Sequence, residues 1–134
     1  FDHVMTNPPY YEESRSKTSP HQGKAQANTE GDVGLDEWLK FCIKMLKPKG
    51  TLTVIHRTER GFDVMTTIWD HVGQINVYPL WPTPEKPARR LVIQGRKGIR
   101  GDASLLAGIV LHEGEEKYSP QAERILRHAE ALEW

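Results

Sequence analysis

The sequence predicts an α/β protein with one mixed sheet, parallel in its first part and antiparallel towards its end. Strand-like and helix-like patterns alternate over residues 1–80, and alternating elements produce parallel strands covered by helices. Two later strand patterns, at 74–80 and 89–94, follow each other with no helix between them, which favours an antiparallel pair.

The first strand and the first helix have the clearest patterns. Residues 1–6 read as a strand that ends because Pro8 and Pro9 remove two backbone donors. A helix is predicted from Leu35 to Lys47, since apolar residues recur there at spacings of three and four. The residues on this apolar face are Leu35, Trp38, Leu39, Cys42 and Leu46.

The later elements are predicted from shorter patterns. In chain order they are a strand at 51–55, a helix at 62–72, strands at 74–80, 89–94 and 105–112, and a helix at 120–132. Ser119 is a candidate cap for the last helix, because Pro120 suits the first helical position. Residues 12–32 are polar with little to bury, so we expect a mobile loop there, and residues 113–134 form a C-terminal tail.

Composition excludes several classes of protein. The 134 residues include 18 Lys and Arg, 18 Asp and Glu, and one cysteine. One cysteine excludes a disulfide-stapled scaffold and favours a reducing, cytoplasmic location. No apolar run approaches the roughly 20 residues that a membrane span needs, so no membrane partner is expected. The six histidines show no paired ligand spacing, and no metal site is expected.

The segment Asn7-Pro8-Pro9-Tyr10, directly after the first strand, is the sharpest chemical signal. Ligands of open α/β sheets bind where parallel strands end. The Asn7 side-chain oxygen and the Pro8 carbonyl can together accept both hydrogens of a planar amino group. Tyr10 offers a flat ring on which a base or an amide can stack. The alternative is an ordinary turn that ends a strand.

This motif resembles the catalytic motif of S-adenosylmethionine-dependent amino methyltransferases, in which it ends the fourth strand of a Rossmann-like fold. The helix at 35–47 and the strand at 51–55 resemble the unit joining the fourth strand to the fifth. The last strands resemble the family's terminal antiparallel hairpin. Three segments are similar to the bacterial tRNA(Val) adenine-N6 methyltransferase family, namely 89–98, 111–113 and 118–123. The resemblance therefore implies a partial Rossmann-like methyltransferase fold, with strands four to seven and covering helices.

The resemblance also implies a site, a cofactor and a substrate. Asn7, Pro8, Pro9 and Tyr10 take the catalytic positions, and Asn7 and Pro8 line the side that faces S-adenosylmethionine. The basic stretch at 86–100 suits the phosphates of a tRNA, although such a stretch is as often a solvated face. The residues expected to contact the substrate are Tyr10, Tyr11, Arg15, Lys17, Lys24, Arg57, Arg89, Arg90, Arg96 and Lys97.

The resemblance covers only the C-terminal half of such a domain. The glycine-rich turn after the first strand of the family, and the acidic residue that ends its second strand, have no counterpart here. We therefore expect residues 1–134 to be half of a methyltransferase domain from a longer protein, inactive alone and with weak or no cofactor affinity. The expected partners are the missing N-terminal half, or a second copy that covers the exposed strand at 1–6.

Two other functions stay open at this point. The same four-residue motif occurs in enzymes that methylate a glutamine side-chain amide in translation release factors, where the amide nitrogen presents the same two hydrogens. A methyltransferase half can also serve as a non-catalytic binding or assembly module. The basic stretch favours RNA over a protein substrate, but only weakly.

Overall fold

The computed structural model describes residues 1–9, 34–113, 117–129, 131 and 134. The predicted loop at 12–32 lies outside these residues. The strands are β1 (His3–Thr6), β2 (Thr51–Arg57), β3 (Val72–Trp81), β4 (Arg90–Lys97), β5 (Ser104–Leu105) and β6 (Ile109–Val110). The helices are α1 (Leu35–Met45), α2 (Gly61–Ile68) and α3 (Pro120–His128), and a short 3-10 turn, Thr58–Arg60, precedes α2.

The strands form one mixed sheet in the order β1-β2-β4-β3-β5, with β6 also paired to β3. β1 runs parallel to β2, with His3 opposite Thr51. β4 is antiparallel to both of its neighbours, β2 and β3. The predicted alternation of strand and helix, and the predicted antiparallel pair at 74–80 and 89–94, are therefore confirmed.

Several predicted boundaries were wrong, and the largest error concerns the strand expected at 105–112. That segment forms two short strands, β5 and β6, because Gly108 between them has a left-handed φ of +80°. A Cβ at this position would lie 2.1 Å from the Pro79 carbonyl oxygen, so only glycine lets the chain pass so close to β3. Both short strands are parallel to β3.

The predicted helix at 62–72 ends earlier, at Ile68, and Val72 already belongs to β3, where it pairs with Lys97. The last helix ends at His128, where Ala129 takes a left-handed conformation. Its predicted cap is confirmed, because the Ser119 hydroxyl accepts a hydrogen bond of 3.1 Å from the Ala122 backbone N–H. No helix in the described ranges is long and apolar enough to cross a membrane.

The two faces of the sheet are covered unequally. The helices α1 and α2 pack on one face, which holds the larger apolar cluster. Its fully buried members are Leu39, Leu52, Val54, Val64 and Ile68. The other face carries a smaller cluster around Tyr78, Val92, Ile109 and Ala122 of α3. Beside that cluster lies an apolar groove of about 460 Å³, and at its margin Met5 of β1 is 73% exposed.

Candidate active site

The sheet register brings the ends of several strands to one edge, which we call the carboxyl edge because β1 and β2 both end there. Thr6 pairs with Val54, so Asn7 leaves the sheet beside the last residues of β2. β4 begins at the same edge, with Arg90 opposite Arg57. β3 ends there too, since Leu80 is also opposite Arg90. The edge at the other end of these strands is called the opposite edge.

The position of Asn7 is fixed by its two neighbours. Thr6 is buried, and its hydroxyl oxygen accepts a hydrogen bond of 2.7 Å from the Trp38 indole N–H on α1. Pro8 is among the most completely buried side chains of the protein. Asn7 between them is exposed. An anchored strand end with one exposed carboxamide can present that group to a ligand without reordering the backbone.

Cys42, one turn after Trp38 in α1, also lies near Thr6. Burial raises the pKa of its thiol above the ordinary value, and the nearby Thr6 hydroxyl offsets only part of that rise. A thiol with a raised pKa is a poor nucleophile, because the thiolate is the reactive form. Cys42 therefore supports the end of β1 and belongs to the core, as the apolar helix pattern predicted.

Three arginines surround a groove at the carboxyl edge, between the end of β2 and the start of β4. The groove has a volume of about 580 Å³ and is lined by Arg57, Thr58, Glu59, Pro87, Ala88, Arg89 and Arg90. Its shape is set by Thr58, whose backbone N–H donates to the Arg89 carbonyl at 3.0 Å and whose hydroxyl donates to the Ala88 carbonyl at 2.8 Å. Arg57 forms a 3.4 Å ion pair with Glu59, so one carboxylate partly offsets the cations.

His56 directly precedes Arg57 in β2, with only 2% of its surface exposed. Its Nδ1 accepts a 2.8 Å hydrogen bond from the Arg57 backbone N–H, which fixes the direction of the strand end. Burial lowers the pKa of His56 below its usual value, and the nearby cations Arg60, Arg57 and Arg90 lower it further. His56 is therefore held neutral, as a hydrogen-bond acceptor under a cationic surface.

The structure divides the predicted substrate residues between the two edges. Asn7, Pro8, Pro9, Arg57, Arg89 and Arg90 lie at the carboxyl edge. Arg96 and Lys97, six and seven residues beyond Arg90 in β4, lie at the opposite edge, roughly 20 Å away at the rise of an extended strand. Arg96 pairs there with Thr51. The basic stretch at 86–100 is therefore not one surface. Tyr10, Tyr11, Arg15, Lys17 and Lys24 lie outside the described residues.

Sequence reasoning missed Thr6 as a positioning residue, although a signal for it exists. A threonine that directly precedes the motif is placed on the buried face of β1 by strand alternation. Trp38, on the facing side of α1, needs a hydrogen-bond acceptor for its indole N–H when it packs there. A buried threonine hydroxyl and an indole N–H that needs an acceptor together predict the observed Trp38–Thr6 hydrogen bond. No three His, Cys, Asp or Glu side chains cluster as a metal site within the described ranges.

The fold has a counterpart among solved structures. It matches the crystal structure of a predicted O-methyltransferase from Agrobacterium tumefaciens, with a TM-score of 0.71 and 20% sequence identity. The match covers 93% of this chain and 50% of that one. The chain therefore has an α/β methyltransferase fold, as the sequence predicted, and corresponds to half of the matched chain.

A curated sequence relative gives a more particular resemblance. The chain is 27% identical over 124 residues to the tRNA1(Val) (adenine(37)-N6)-methyltransferase of Bacteroides thetaiotaomicron. The alignment covers 88% of this chain and 50% of that protein, so the chain spans about half the length of its relative. No model of a known protein family matches the sequence. The resemblance to the tRNA(Val) adenine methyltransferases is thus found again by comparison of the sequences.

Proposed function

We propose that this chain is the substrate-facing half of an S-adenosylmethionine-dependent methyltransferase that modifies an adenine amino group in tRNA. The observation that carries the proposal is the grouping of Asn7 with Arg57, Arg89 and Arg90 at one edge of a methyltransferase fold. A carboxamide and cations in that arrangement suit an amino group on a base and the phosphates beside it. The name of the curated relative supports the same substrate.

The protein's part in the reaction is to hold the amino group. The Asn7 side-chain oxygen and the Pro8 carbonyl oxygen accept hydrogen bonds from its two N–H groups, which draws the nitrogen towards a tetrahedral geometry and frees its lone pair. Burial of Pro8 and the Trp38–Thr6 hydrogen bond keep these acceptors in place during the reaction. No side chain with a shifted pKa is needed, because positioning supplies most of the effect. Tyr10 and Tyr11 are proposed to stack on the base.

The described residues fit one end of the proposed cofactor. Asn7 is exposed beside a fixed strand end, so the amino group that it holds can meet a methyl donor there. S-adenosylmethionine, when bound, supplies an electrophilic methyl group on that sulfur. Asn7 and Pro8 face this end, and the nucleoside end is assigned to the other half of the domain. The isolated chain is therefore expected to bind S-adenosylmethionine weakly or not at all, and tight binding in calorimetry would contradict this assignment.

The partner of this half is proposed to be the N-terminal half of the same domain. Among the described residues β1 pairs only with β2, so its outer edge is available to a further strand. The apolar groove beside exposed Met5 continues from that edge onto the sheet face. Solution scattering distinguishes the possibilities. A monomer that becomes a 1:1 complex when the N-terminal half is added supports the proposal, whereas a stable homodimer that resists this addition contradicts it.

The test of function uses the protein reconstituted with its N-terminal half. Unmodified tRNA and a translation release factor are offered separately with radiolabelled S-adenosylmethionine. We expect methyl transfer to adenine in tRNA. Transfer only to the release factor would replace this function with amide methylation, and no transfer to either substrate would favour a non-catalytic module.

Asn7 provides the decisive variants. Asn7→Ala removes the acceptor and should lower kcat by at least 100-fold while leaving cofactor affinity within about twofold, because its contribution arises in the transition state. Asn7→Asp keeps an acceptor oxygen at the same position and should retain measurable turnover. Equal turnover by Asn7→Ala and the wild type would show that the motif has another role.

A further inference from the structure

The carboxyl edge extends beyond the arginine groove, on the side away from Asn7. β6 is parallel to β3, with Val110 opposite Trp81, so the residues after β6 emerge at the same edge as Arg90. The backbone N–H groups of Leu111 and His112 donate to the carbonyls of Trp81 and Pro82 at 2.7 and 3.0 Å. His112 is therefore attached to the end of β3 by backbone hydrogen bonds.

His112 stacks on Tyr118 at this point. The two ring centroids are 4.8 Å apart and the ring planes are within 22° of parallel. An isolated antiparallel bridge joins the backbones of the same two residues, and Ser119 then caps α3. The bridge to His112 and the cap at Ser119 fix the backbone at Tyr118, and the residue is still 38% exposed. The Tyr118 ring is therefore held by a backbone bridge and by the His112 ring, and part of its surface is accessible to solvent.

We propose that the His112–Tyr118 pair is a stacking platform for a second, unpaired base of the RNA substrate. This inference rests on the proposed function, which it deepens by assigning a second nucleotide contact. Flat aromatic rings bind unstacked bases of any sequence through their faces, and both histidine and tyrosine are used in this way. The platform is attached to the sheet by backbone hydrogen bonds, so stacking on it costs little ordering of the protein.

The order of groups along the edge agrees with a single-stranded path. Crossing the sheet from Asn7, the strands present Arg57, then Arg89 and Arg90, then the platform. At the usual strand separation this row spans roughly 20 Å, or a few nucleotides of single-stranded RNA. The row suits a looped-out single strand of RNA. It offers an acceptor for an amino group at one end, cations in the middle and a stacking surface at the other end. A double helix does not fit, because its bases are already stacked.

The experiment measures RNA binding by the 134-residue chain rather than methylation. The probe is a fluorescently labelled RNA hairpin with the anticodon loop of a valine tRNA, and a duplex of equal length is the comparison. Tyr118→Ala should weaken hairpin binding roughly 5- to 150-fold, the range for loss of one base–aromatic stack. Tyr118→Phe, which keeps the ring, should bind within about twofold of the wild type.

Two further measurements separate stacking from a structural effect. Trp69→Ala removes another exposed aromatic, 58% exposed but at the opposite edge, and should leave the affinity unchanged. A hairpin with 2-aminopurine in its loop should lose fluorescence on binding the wild type and Tyr118→Phe, but not Tyr118→Ala. Thermal unfolding of Tyr118→Ala confirms that the variant is folded.

The possible failures are distinct. If Tyr118→Ala binds the hairpin as tightly as the wild type while loss of Arg89 and Arg90 weakens binding, the platform is wrong and the proposed RNA substrate stands. The platform is also wrong if the duplex binds as tightly as the hairpin. If the chain binds neither RNA and the reconstituted protein methylates no tRNA, the proposed function fails, and this inference fails with it.

Discussion

The two edges of the sheet carry similar numbers of cations but use them differently. At the carboxyl edge, where Asn7 also lies, Arg57, Arg89 and Arg90 surround a groove. At the opposite edge, the cations close turns of the protein itself. The Lys97 ammonium donates to the Leu46 carbonyl at 2.9 Å, at the end of α1. The Arg96 guanidinium donates to the Lys49 carbonyl at 3.2 Å.

This difference shows why a basic run in a sequence is weak evidence for a binding surface. Residues 86–100 contain six cations, but β4 carries them from one edge of the sheet to the other. A cation that donates to the last carbonyls of a helix interacts favourably with the helix dipole and has a structural role. The candidate surface is therefore only the part of the run that lies at the same edge of the sheet as Asn7.

The largest expected effect comes from breaking the turn that brings His112 to the carboxyl edge. Gly108→Ala puts a side chain at a φ of +80° and a Cβ 2.1 Å from the Pro79 carbonyl oxygen. We expect a loss of about 2–4 kcal/mol in the free energy of unfolding, measured in urea, from the backbone strain and the overlap together.

Gly34→Ala is the matched control for this change. A Cβ at Gly34 meets nothing within 4 Å, and the residue has a φ of −62° at the start of α1. Its cost should stay below about 1 kcal/mol, the scale of a helix cap. Equal losses from the two substitutions would show that Gly108 is not the residue that divides β5 from β6.

The second prediction compares the arginines of the two edges directly. The double variant Arg89→Gln with Arg90→Gln should weaken binding of the RNA hairpin by roughly tenfold. The slope of log affinity against log salt concentration should fall by the amount expected for the loss of about two phosphate contacts. Arg96→Gln with Lys97→Gln should leave RNA affinity nearly unchanged and lower thermal stability instead. The measurement is anisotropy at several salt concentrations. If both double variants lose affinity equally, the run acts as one surface and the comparison of edges is wrong.

The third prediction concerns the Trp38–Thr6 hydrogen bond at the end of β1. Thr6→Val keeps the volume of the side chain but leaves the Trp38 indole N–H without its acceptor. The free energy of unfolding should fall by about 1 kcal/mol, because Trp38 is 36% exposed and water can replace part of the lost bond. Thr66→Val is the control, because its hydroxyl donates to the Phe62 carbonyl on an exposed helix surface where water replaces the bond. A loss that is no larger for Thr6 than for Thr66 would remove the case for a positioning role.

Sequence patterns predicted the elements better than their ends. β1, α1 and the antiparallel pair follow from apolar periodicity and from prolines, which act locally. The division of the last strand at Gly108 does not, because it depends on how close the chain passes to Pro79 on another strand. Among the candidate site residues, Asn7 and Pro8 lie where a strand-ending motif places them. The separation of Arg90 from Arg96 required the direction of β4 in the sheet, which charge patterning does not contain.

The smallest expected effect is a pH dependence of the unfolding free energy that arises from His56 at the carboxyl edge. His56 is buried under cations, and its pKa in the folded protein is lowered below the value of about 6.5 for an unfolded histidine. As pH falls through 6.5, the unfolded chain gains a proton at His56 before the folded protein does. Protonation therefore favours unfolding, and His56 lowers stability progressively below that pH.

The variant His56→Asn isolates this contribution. Its side-chain oxygen can accept the Arg57 backbone N–H as Nδ1 does, but it does not titrate. Unfolding free energies measured from pH 8 to pH 5 should therefore fall more steeply for the wild type than for the variant, with the two curves diverging only below about pH 6.5. Parallel curves over the whole range would mean that His56 gains its proton equally in both states. Neither burial nor the cations of the carboxyl edge would then hold the pKa of His56 below its usual value, and that edge would not place a neutral histidine beside its arginines.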